Sequence, residues 1–161
     1  MKMHKKHSEM KMNENHYRKL LIMAILSFIS MYILMYAMVN VFGNVFNNFN
    51  QFYMAGLMTA PMIVIELLLM GSMYKDNRQN AVIIALSVIL GVLFFIFIRQ
   101  QTAITDKQFL RSMIPHHAGA ILMCEQSPIS DAEIKELCQS IITSQQSEID
   151  QMKAILDRLQ K

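Results

Sequence analysis

The run LLIMAILSFISMYILMYAMVNVF, residues 20–42, decides the class of fold, because its 23 residues include no charged side chain. A helix needs about 20 apolar residues to cross a bilayer. A helix of this length on the surface of a soluble core keeps a polar face, and this run has none. It is also too long for a signal-peptide core and lacks a small-residue cleavage site. The run therefore predicts a transmembrane helix that stays in the mature protein.

Two more runs of the same kind follow. Residues 53–74 are interrupted by one carboxylate, Glu66, and one proline, Pro61, and residues 81–98 carry no charge. Together the three runs predict an all-α integral membrane protein whose three transmembrane helices occupy residues 20–100.

The basic residues predict how the chain is oriented. Six of them precede Leu20, the loop GNVFNNFNQF (residues 43–52) has no charge, and Lys75 and Arg78 follow the second run. The positive-inside rule then puts the N-terminus in the cytoplasm and the C-terminus outside, in the plasma membrane of a bacterium. The net charge of +3 is mainly a topology signal. It predicts the lipid bilayer as a partner and no nucleic acid.

Residues 101–161 predict an antiparallel helical hairpin outside the membrane. Thr105 with Gln108, and Ser130 with Glu133, have the spacing of capping boxes, and Gln126-Ser127-Pro128 has the composition of a turn. The two helices are expected at about 106–125 and 131–160. Because no Gly or Pro lies between Gly91 and Pro115, the third span is expected to run straight into the first helix of the hairpin.

Helical periodicity predicts an apolar inner face on each helix of the hairpin. The predicted lines are Phe109, Met113, His117, Ala120 and Cys124 on the first helix, and Ile134, Cys138, Ile141, Gln145, Ile149, Met152, Leu156 and Leu159 on the second. A hairpin of this size buries too little surface to stand alone. We expect it to dimerise into a four-helix bundle or to pack on the membrane helices.

The two cysteines are expected at different heights. In a hairpin that turns near Pro128, Cys124 and Cys138 would lie roughly 9 Å apart along the axis at 1.5 Å per residue. We therefore expect no disulfide between them, and two small buried apolar side chains instead.

The stretch MIPHHAGAILM, residues 113–123, carries the candidate chemistry. Imidazole and thioether together suit monovalent copper or silver. Met113 and His117 share one helix face, His116 and Met123 flank it, and Pro115 is expected to kink the helix at the histidines. The alternative is a structural histidine: His117 bonded to Gln145 on an apolar face, with His116 solvated. Spacing alone leaves both interpretations open.

An enzyme is not expected. Cys124 lies two helical turns from His117, the chain has no Gly-rich nucleophile turn, and the histidine pair lacks the HExxH pattern of zinc hydrolases.

The tail resembles the domain-of-unknown-function 305 (DUF305) family. The residues that carry the resemblance are Asp106, Phe109, Met113-Ile114-Pro115-His116-His117, Ala120-Ile121, Met123, Ile141-Ile142, Gln145, Glu148-Ile149 and Met152. The resemblance implies a helical, ferritin-like domain. It also implies copper binding, because some members of the family are periplasmic copper-binding proteins. It implies that the Met and His positions are the ligands, with Met152 contributed by the second helix. Gln145, Glu148 and Cys124 form a second tier of candidates.

The family resemblance also bears on assembly. Larger members of the family repeat the helical pair, whereas this chain has one copy. That difference favours a metal site built between two subunits, so that the hairpin is half of a ferritin-like bundle.

Two other regions contain soft donors. Residues 1–19 alternate Met, His and Lys, which is typical either of soft-metal binding in flexible chains or of a basic, disordered topology tail. In the second run, Met54, Met58, Met62 and Glu66 recur every four residues. They are either packing residues or a path for a soft cation that ends in a costly intramembrane carboxylate. Three spans with a Met-xxx-Met second helix resemble the eukaryotic three-span copper permeases, although the predicted orientation is the reverse.

The sequence thus predicts a membrane-anchored protein that binds copper(I) or silver(I) in metal homeostasis or resistance, with no organic cofactor. It would sequester metal outside the membrane or hand it on, with a copper exporter or copper chaperone as a candidate partner. The first alternative is a small oligomeric copper transporter that uses the Met and Glu66 face. The second is a metal-free helical interaction module.

Overall fold

The chain forms five α-helices in a computed structural model, which describes the backbone of residues 2–160 and the side chains of residues 15–160. The helices are α1 (Lys2–Leu34), α2 (Phe49–Leu69), α3 (Asn77–Gln100), α4 (Asp106–Gln126) and α5 (Ala132–Gln160). The described residues contain no strand, which confirms the all-α prediction. They form two compact units, one made of residues up to 32 with 53–102 and the other of residues 33–52 with those from 103 onward. We call these the span unit and the hairpin unit.

Three helical stretches are long and apolar enough to cross a membrane: Asn15–Met38, Phe49–Leu69 and Asn77–Gln100. Their bounds differ from the apolar runs. The first stretch changes from α-helix to a 3-10 turn at Met35–Met38, and the second ends at Leu69 rather than at residue 74. Helix α1 begins at Lys2. The side chains of residues 1–14, including most of the Met/His-rich segment, lie outside the described part of the chain.

Small residues allow the helices of the span unit to approach closely. A Cβ atom added at Gly56 would overlap the ring of Phe94, and one at Gly91 would lie 3.2 Å from the Cβ of Ala60. Close approach through small residues is a common way for helices to associate within a bilayer.

Five residues, 101–105, separate the end of α3 from the start of α4. Gln101 and Ala103 have φ values of 51° and 59°, and the amide of Thr102 donates to the carbonyl of Phe97 over 3.0 Å. A left-handed residue ends a helix and frees the chain to turn. The expectation that the third span runs straight into the first tail helix is therefore wrong. Neither residue is glycine, so no local signal predicted the left-handed conformation.

The hairpin helices begin and end close to where the sequence predicted. The N-terminal cap of α5 is Asp131 rather than Ser130, because its Oδ1 accepts hydrogen bonds from the amides of Glu133 (2.9 Å) and Ile134 (3.0 Å). Thr105 occupies the cap position of α4 without a side-chain bond. Gln108, its expected partner, instead accepts a hydrogen bond from the amide of Phe49 over 3.1 Å.

On α4 the aliphatic core lies on a face rotated from the predicted one, whereas on α5 the predicted Ile149, Met152 and Leu156 are buried. Its buried members are Leu110, Ile114, Ala118, Ile121, Ile149, Met152 and Leu156. Phe109 and Ile134, which the predicted lines included, are 50% and 48% exposed. Adjacent helical residues differ by about 100°. The rotation of α4 is therefore set by burial of the face with two isoleucines and a leucine, and not by burial of the face centred on the soft donors.

A third layer of the hairpin unit comes from the segment between the first two spans. Val39 and Phe46 pack against the aliphatic core, and the hydroxyl of Tyr36 donates to the carbonyl of Phe46 over 2.8 Å. A Cβ atom at Gly119 would lie 3.4 Å from the carbonyl oxygen of Met38. The sequence analysis anticipated a cover from a second copy or from the spans, and not from this segment. In a chain with three spans, this segment and the tail emerge on the same side of the membrane.

Cys124 and Cys138 form a disulfide, with their Cα atoms 5.3 Å apart. The expectation of two unpaired cysteines is therefore wrong. Cys124 lies about 3 Å before the end of α4, and Cys138 about 9 Å after the start of α5, at 1.5 Å per residue. The loop at residues 127–131 brings the two level by starting α5 beyond the end of α4. This offset also explains why Ile134, which lies beyond the end of α4, is 48% exposed.

Ile149→Ala should destabilise the hairpin unit by about 2–5 kcal/mol, because it leaves a cavity in a fully packed core. Ile134→Ala is the matched control on the same helix and should change stability by less than about 0.5 kcal/mol. Thermal unfolding of the full chain in detergent, followed by circular dichroism, measures both. Equal effects of the two substitutions would contradict the observed core.

Candidate functional site

His117 is the buried polar side chain of α4, with 6% of its surface exposed. Its Nδ1 lies 2.9 Å from the carbonyl oxygen of Met113, one helical turn earlier. Because a carbonyl oxygen only accepts hydrogen bonds, Nδ1 carries a proton. This contact fixes the ring orientation and leaves Nε2 as the variable nitrogen.

The Nε2 atom of His117 lies 2.7 Å from Oε2 of Glu148 on α5. Both ring nitrogens therefore face oxygen atoms, and a doubly protonated ring would donate to both of them. The side chain of Glu148 is 49% exposed, so solvent can replace it. When the ring loses its Nε2 proton, that nitrogen presents a lone pair in a fixed direction.

Glu148 is held in its ionised form by two neighbours. The hydroxyl of Ser144 donates to Oε1 over 2.9 Å. This hydrogen bond is the largest cause that lowers the pKa of Glu148 below its ordinary value of 4.5, and His117 adds to it. Ser144 was not among the residues predicted from the sequence. It lies four residues before Glu148, which is the helical spacing at which side chains meet, and this spacing could have indicated the contact.

Thioethers lie on both helices of the hairpin. Met152 is buried within the aliphatic core and Met113 packs against it. Gln145, on the same helix as Met152, has a buried Oε1 with no hydrogen-bond partner. Buried polar atoms are nearly always bonded, so this oxygen is free to accept from an additional group. The structural alternative of the sequence analysis, a His117–Gln145 hydrogen bond, is wrong because Glu148 takes that position.

The other candidates of the tail are separated from this pair. His116 is exposed and Met123 is 52% exposed, and the ring centroids of His116 and His117 are 6.1 Å apart. Cys124 is oxidised. Among residues whose side chains are described, no group of three or more His, Cys, Asp or Glu could hold a metal ion. Thioethers would therefore have to complete any site at His117.

The candidate residues of the span unit differ in how far their side chains are exposed to solvent. Met54 and Met58 are 39% and 44% exposed, whereas Met62 and Glu66 are half-buried. The hydroxyl of Tyr74 donates to Oε1 of Glu66 over 3.3 Å, so the carboxylate of this apolar helix has a neutral hydrogen-bond partner.

Comparisons with known proteins place the tail in a family. Residues 98–156 match the model of the domain of unknown function DUF305. The chain is also 39% identical over 141 residues to the uncharacterized protein L153 of Acanthamoeba polyphaga mimivirus, which covers 86% of this chain and 91% of that protein. The chain therefore belongs to the DUF305 family. No solved structure matches it.

The DUF305 match covers the whole of α4 and all but the last turn of α5. The candidate pair His117–Glu148 and both thioethers, Met113 and Met152, thus lie within the shared domain. The similarity to the viral protein extends well beyond the domain, because it covers 141 residues. The relatedness therefore includes much of the span unit.

Ser144→Ala should raise the pKa of Glu148 towards 4.5, because it removes the largest cause of the depression. Ser147→Ala, an exposed serine on the same helix, is the control and should leave it unchanged. The chemical shift of the labelled Glu148 carboxyl carbon against pH measures the difference. An equal pKa in both variants would contradict the Ser144 contact.

The same depression has a consequence for stability. Because the folded-state pKa of Glu148 lies below the unfolded one, its stabilising contribution is fully present above pH 4.5 and disappears as the pH falls through the folded-state pKa. Glu148→Gln should flatten the loss of stability in that acidic window. A variant that loses stability as steeply as the wild type below pH 4.5 would show that other carboxylates cause the loss.

Proposed function

We propose that the protein binds monovalent copper or silver through its DUF305 domain and sequesters the ion or hands it on. The single observation that carries the proposal is the arrangement of His117. Its Nδ1 is committed to the Met113 carbonyl, which leaves Nε2 as the one nitrogen available to a metal. Ligating histidines commonly have their second nitrogen fixed in this way.

The donor set fits a soft, singly charged ion. The proposed ligands are Nε2 of His117 and the sulfur atoms of Met113 and Met152, which are neutral and polarisable. The absence of a cluster of three His, Cys, Asp or Glu among the described side chains argues against a zinc site, which takes four such ligands. The proposed role requires only that the ion is bound, because sequestration needs no reaction.

Glu148 has a specific role in this proposal. In the protein without metal, Oε2 of Glu148 lies 2.7 Å from Nε2 of His117, at the position that a metal would take. Binding would replace the Nε2 proton and release Glu148 to solvent, where half of its side chain already lies. Metal affinity should therefore fall as the pH is lowered, since protons compete for Nε2.

The exposed donors fit transfer rather than retention. His116 and Met123 lie outside the core, where a second copy of the chain or another protein can reach them. We propose that they receive or pass on the ion, with a copper exporter or copper chaperone as the partner. A second hairpin would also cover Phe109, Ile134 and Leu137, all exposed, and would complete the four-helix bundle that the single repeat lacks.

The Cys124–Cys138 disulfide supports the proposed location of the domain. Disulfides persist in oxidising compartments and on cell or virion surfaces, and are rare in the cytosol. Together with the basic residues that precede Leu20, it favours a multi-pass membrane protein with the hairpin unit outside and the N-terminus in the cytoplasm.

Transport through the spans is the second candidate function. The observation that favours it is Glu66, a half-buried carboxylate on a helix long enough to cross a membrane. Met54 and Met58 are exposed on the same helix, so a path lined by Met54, Met58, Met62 and Glu66 would have to form between copies. A metal-free interaction module remains the alternative that the binding experiment below excludes or supports.

His117→Ala should weaken silver(I) binding to the hairpin unit by at least about tenfold, and Met113→Leu or Met152→Leu by a smaller factor. His116→Ala and Met123→Leu should have less effect than the corresponding changes at His117 and Met113. Competition with a chromophoric silver(I) ligand, on full-length protein whose N-terminal Met and His residues are replaced, measures the affinities. If His117→Ala binds as tightly as the wild type, this assignment fails and the histidine is structural.

A reporter enzyme that is active only outside the cytoplasm should be active when fused after Lys161. The same reporter should be silent when fused before Leu20. Its activity in the two fusions measures the orientation directly. The reverse pattern would place the hairpin unit in the cytoplasm and would remove the proposed sequestering role outside the membrane.

A further inference from the structure

The two cysteines of the chain lie apart from the candidate site at His117. Cys124 is seven residues after His117, about two helical turns, and its sulfur is bonded to that of Cys138 at the turn end of the hairpin. Neither residue belongs to the aliphatic core, and both are half-buried. The cysteine pair therefore lies near solvent and is separate from the His117–Glu148 contact.

The position of the two cysteines does not depend on their bond. Helices α4 and α5 are held together by the core from Leu110 to Ile121 on one side and from Ile149 to Leu156 on the other. The Cα–Cα distance of 5.3 Å lies in the ordinary range for a disulfide. When the bond is opened, the packed helices keep the two thiols within reach of a common ligand.

We propose that Cys124 and Cys138, once reduced, form a second soft-metal site that takes one copper(I) or silver(I) ion between two thiolates. Thiolate is the softest ligand that a protein offers, and monovalent copper prefers it. The site uses none of the residues proposed at His117. It therefore stands or falls separately from the proposed function.

The reaction that opens the site is thiol–disulfide exchange. A dithiol reductant attacks one sulfur, forms a mixed disulfide, and then closes to its own disulfide. The reductant loses two electrons and two protons, and Cys124 and Cys138 gain them as two thiols. Binding of one monovalent ion then releases the two thiol protons and leaves a complex with one negative charge.

The charges around the pair favour cations. Between Cys124 and Cys138 the sequence carries four carboxylates (Glu125, Asp131, Glu133 and Glu136) against one cation, Lys135. The segment thus has a net charge of −3, which raises the local concentration of a cationic ligand. Glu125, Glu133 and Glu136 are exposed, so they attract cations at the surface and are not ligands within the core.

The proposed pair also explains a feature of α5. Residues 132–136 extend beyond the end of α4 with Ile134 exposed, and the disulfide links this end of α5 to α4. A metal bridging the same two sulfur atoms would replace that link without moving the core.

The test measures how many silver(I) ions the full-length protein retains in detergent before and after reduction. One sample is treated with dithiothreitol, the reductant is removed without oxygen, and both samples are loaded with silver(I) and desalted. Subtracting the oxidised value removes every site that does not need thiols, including the N-terminal Met and His residues. The wild type should gain about one ion per chain on reduction.

Two variants separate the sites. His117→Ala with Met113→Leu should keep the gain, whereas Cys124→Ser with Cys138→Ser should abolish it. Protection of the reduced wild-type thiols from maleimide labelling by silver(I) provides a second measurement that needs no cysteine variant. No gain in the wild type, a gain that persists in the serine variant, or labelling that silver(I) does not slow would each overturn the proposal.

Discussion

The packing of α4 against α5 through aliphatic side chains is the constraint on which the rest of the hairpin unit depends. Ile114 and Ile121 on one helix and Ile149 and Leu156 on the other are almost fully buried. Their faces set the rotation of each helix about its axis. That rotation carries His117 to the edge of the core and Glu148 to its exposed side. A polar ring at such an edge needs partners for both nitrogens, and the Met113 carbonyl and Glu148 provide them.

The same packing determines where the cysteines meet. Once the helices are registered by their aliphatic residues, the loop at residues 127–131 must start α5 beyond the end of α4, and Cys138 comes level with Cys124. The segment from Met35 to Phe46 then fits against the remaining apolar surface of α4, where Gly119 lets the backbone at Met38 approach. The hairpin is therefore a three-layered unit and not an isolated pair of helices.

The sequence was sufficient for the features that depend on local signals. Apolar length predicted the three helices that could cross a membrane, and turn composition predicted α4 and α5 to within one or two residues. The features that failed depend on long-range packing. Periodicity chose a face of α4 centred on Met113 and His117, whereas burial of Ile114 and Ile121 rotates it. The estimate that placed Cys124 and Cys138 by counting residues from the turn missed the offset between the end of α4 and the start of α5. This offset brings the two cysteines level.

The candidate site divides in the same way. His117 was a candidate from its spacing and Met152 from the resemblance, and their role as ligands stays a prediction. The structural partner expected for His117 was Gln145, whereas the structure shows Glu148. The two positions are three residues apart on one helix and differ by less than a full turn, so the sequence pattern could not choose between them. The left-handed residues Gln101 and Ala103 carried no local signal, because neither is glycine or asparagine.

We propose that Nε2 of His117 receives a soft metal while Nδ1 keeps its proton. Nitrogen-15 NMR of the imidazole rings, recorded on the full chain with and without silver(I), tests it most directly. The account predicts that Nε2 of His117 shifts strongly on addition of silver(I) and that Nδ1 remains a protonated, hydrogen-bonded nitrogen. A His117 spectrum that silver(I) leaves unchanged, or a shift confined to other histidines, would contradict it.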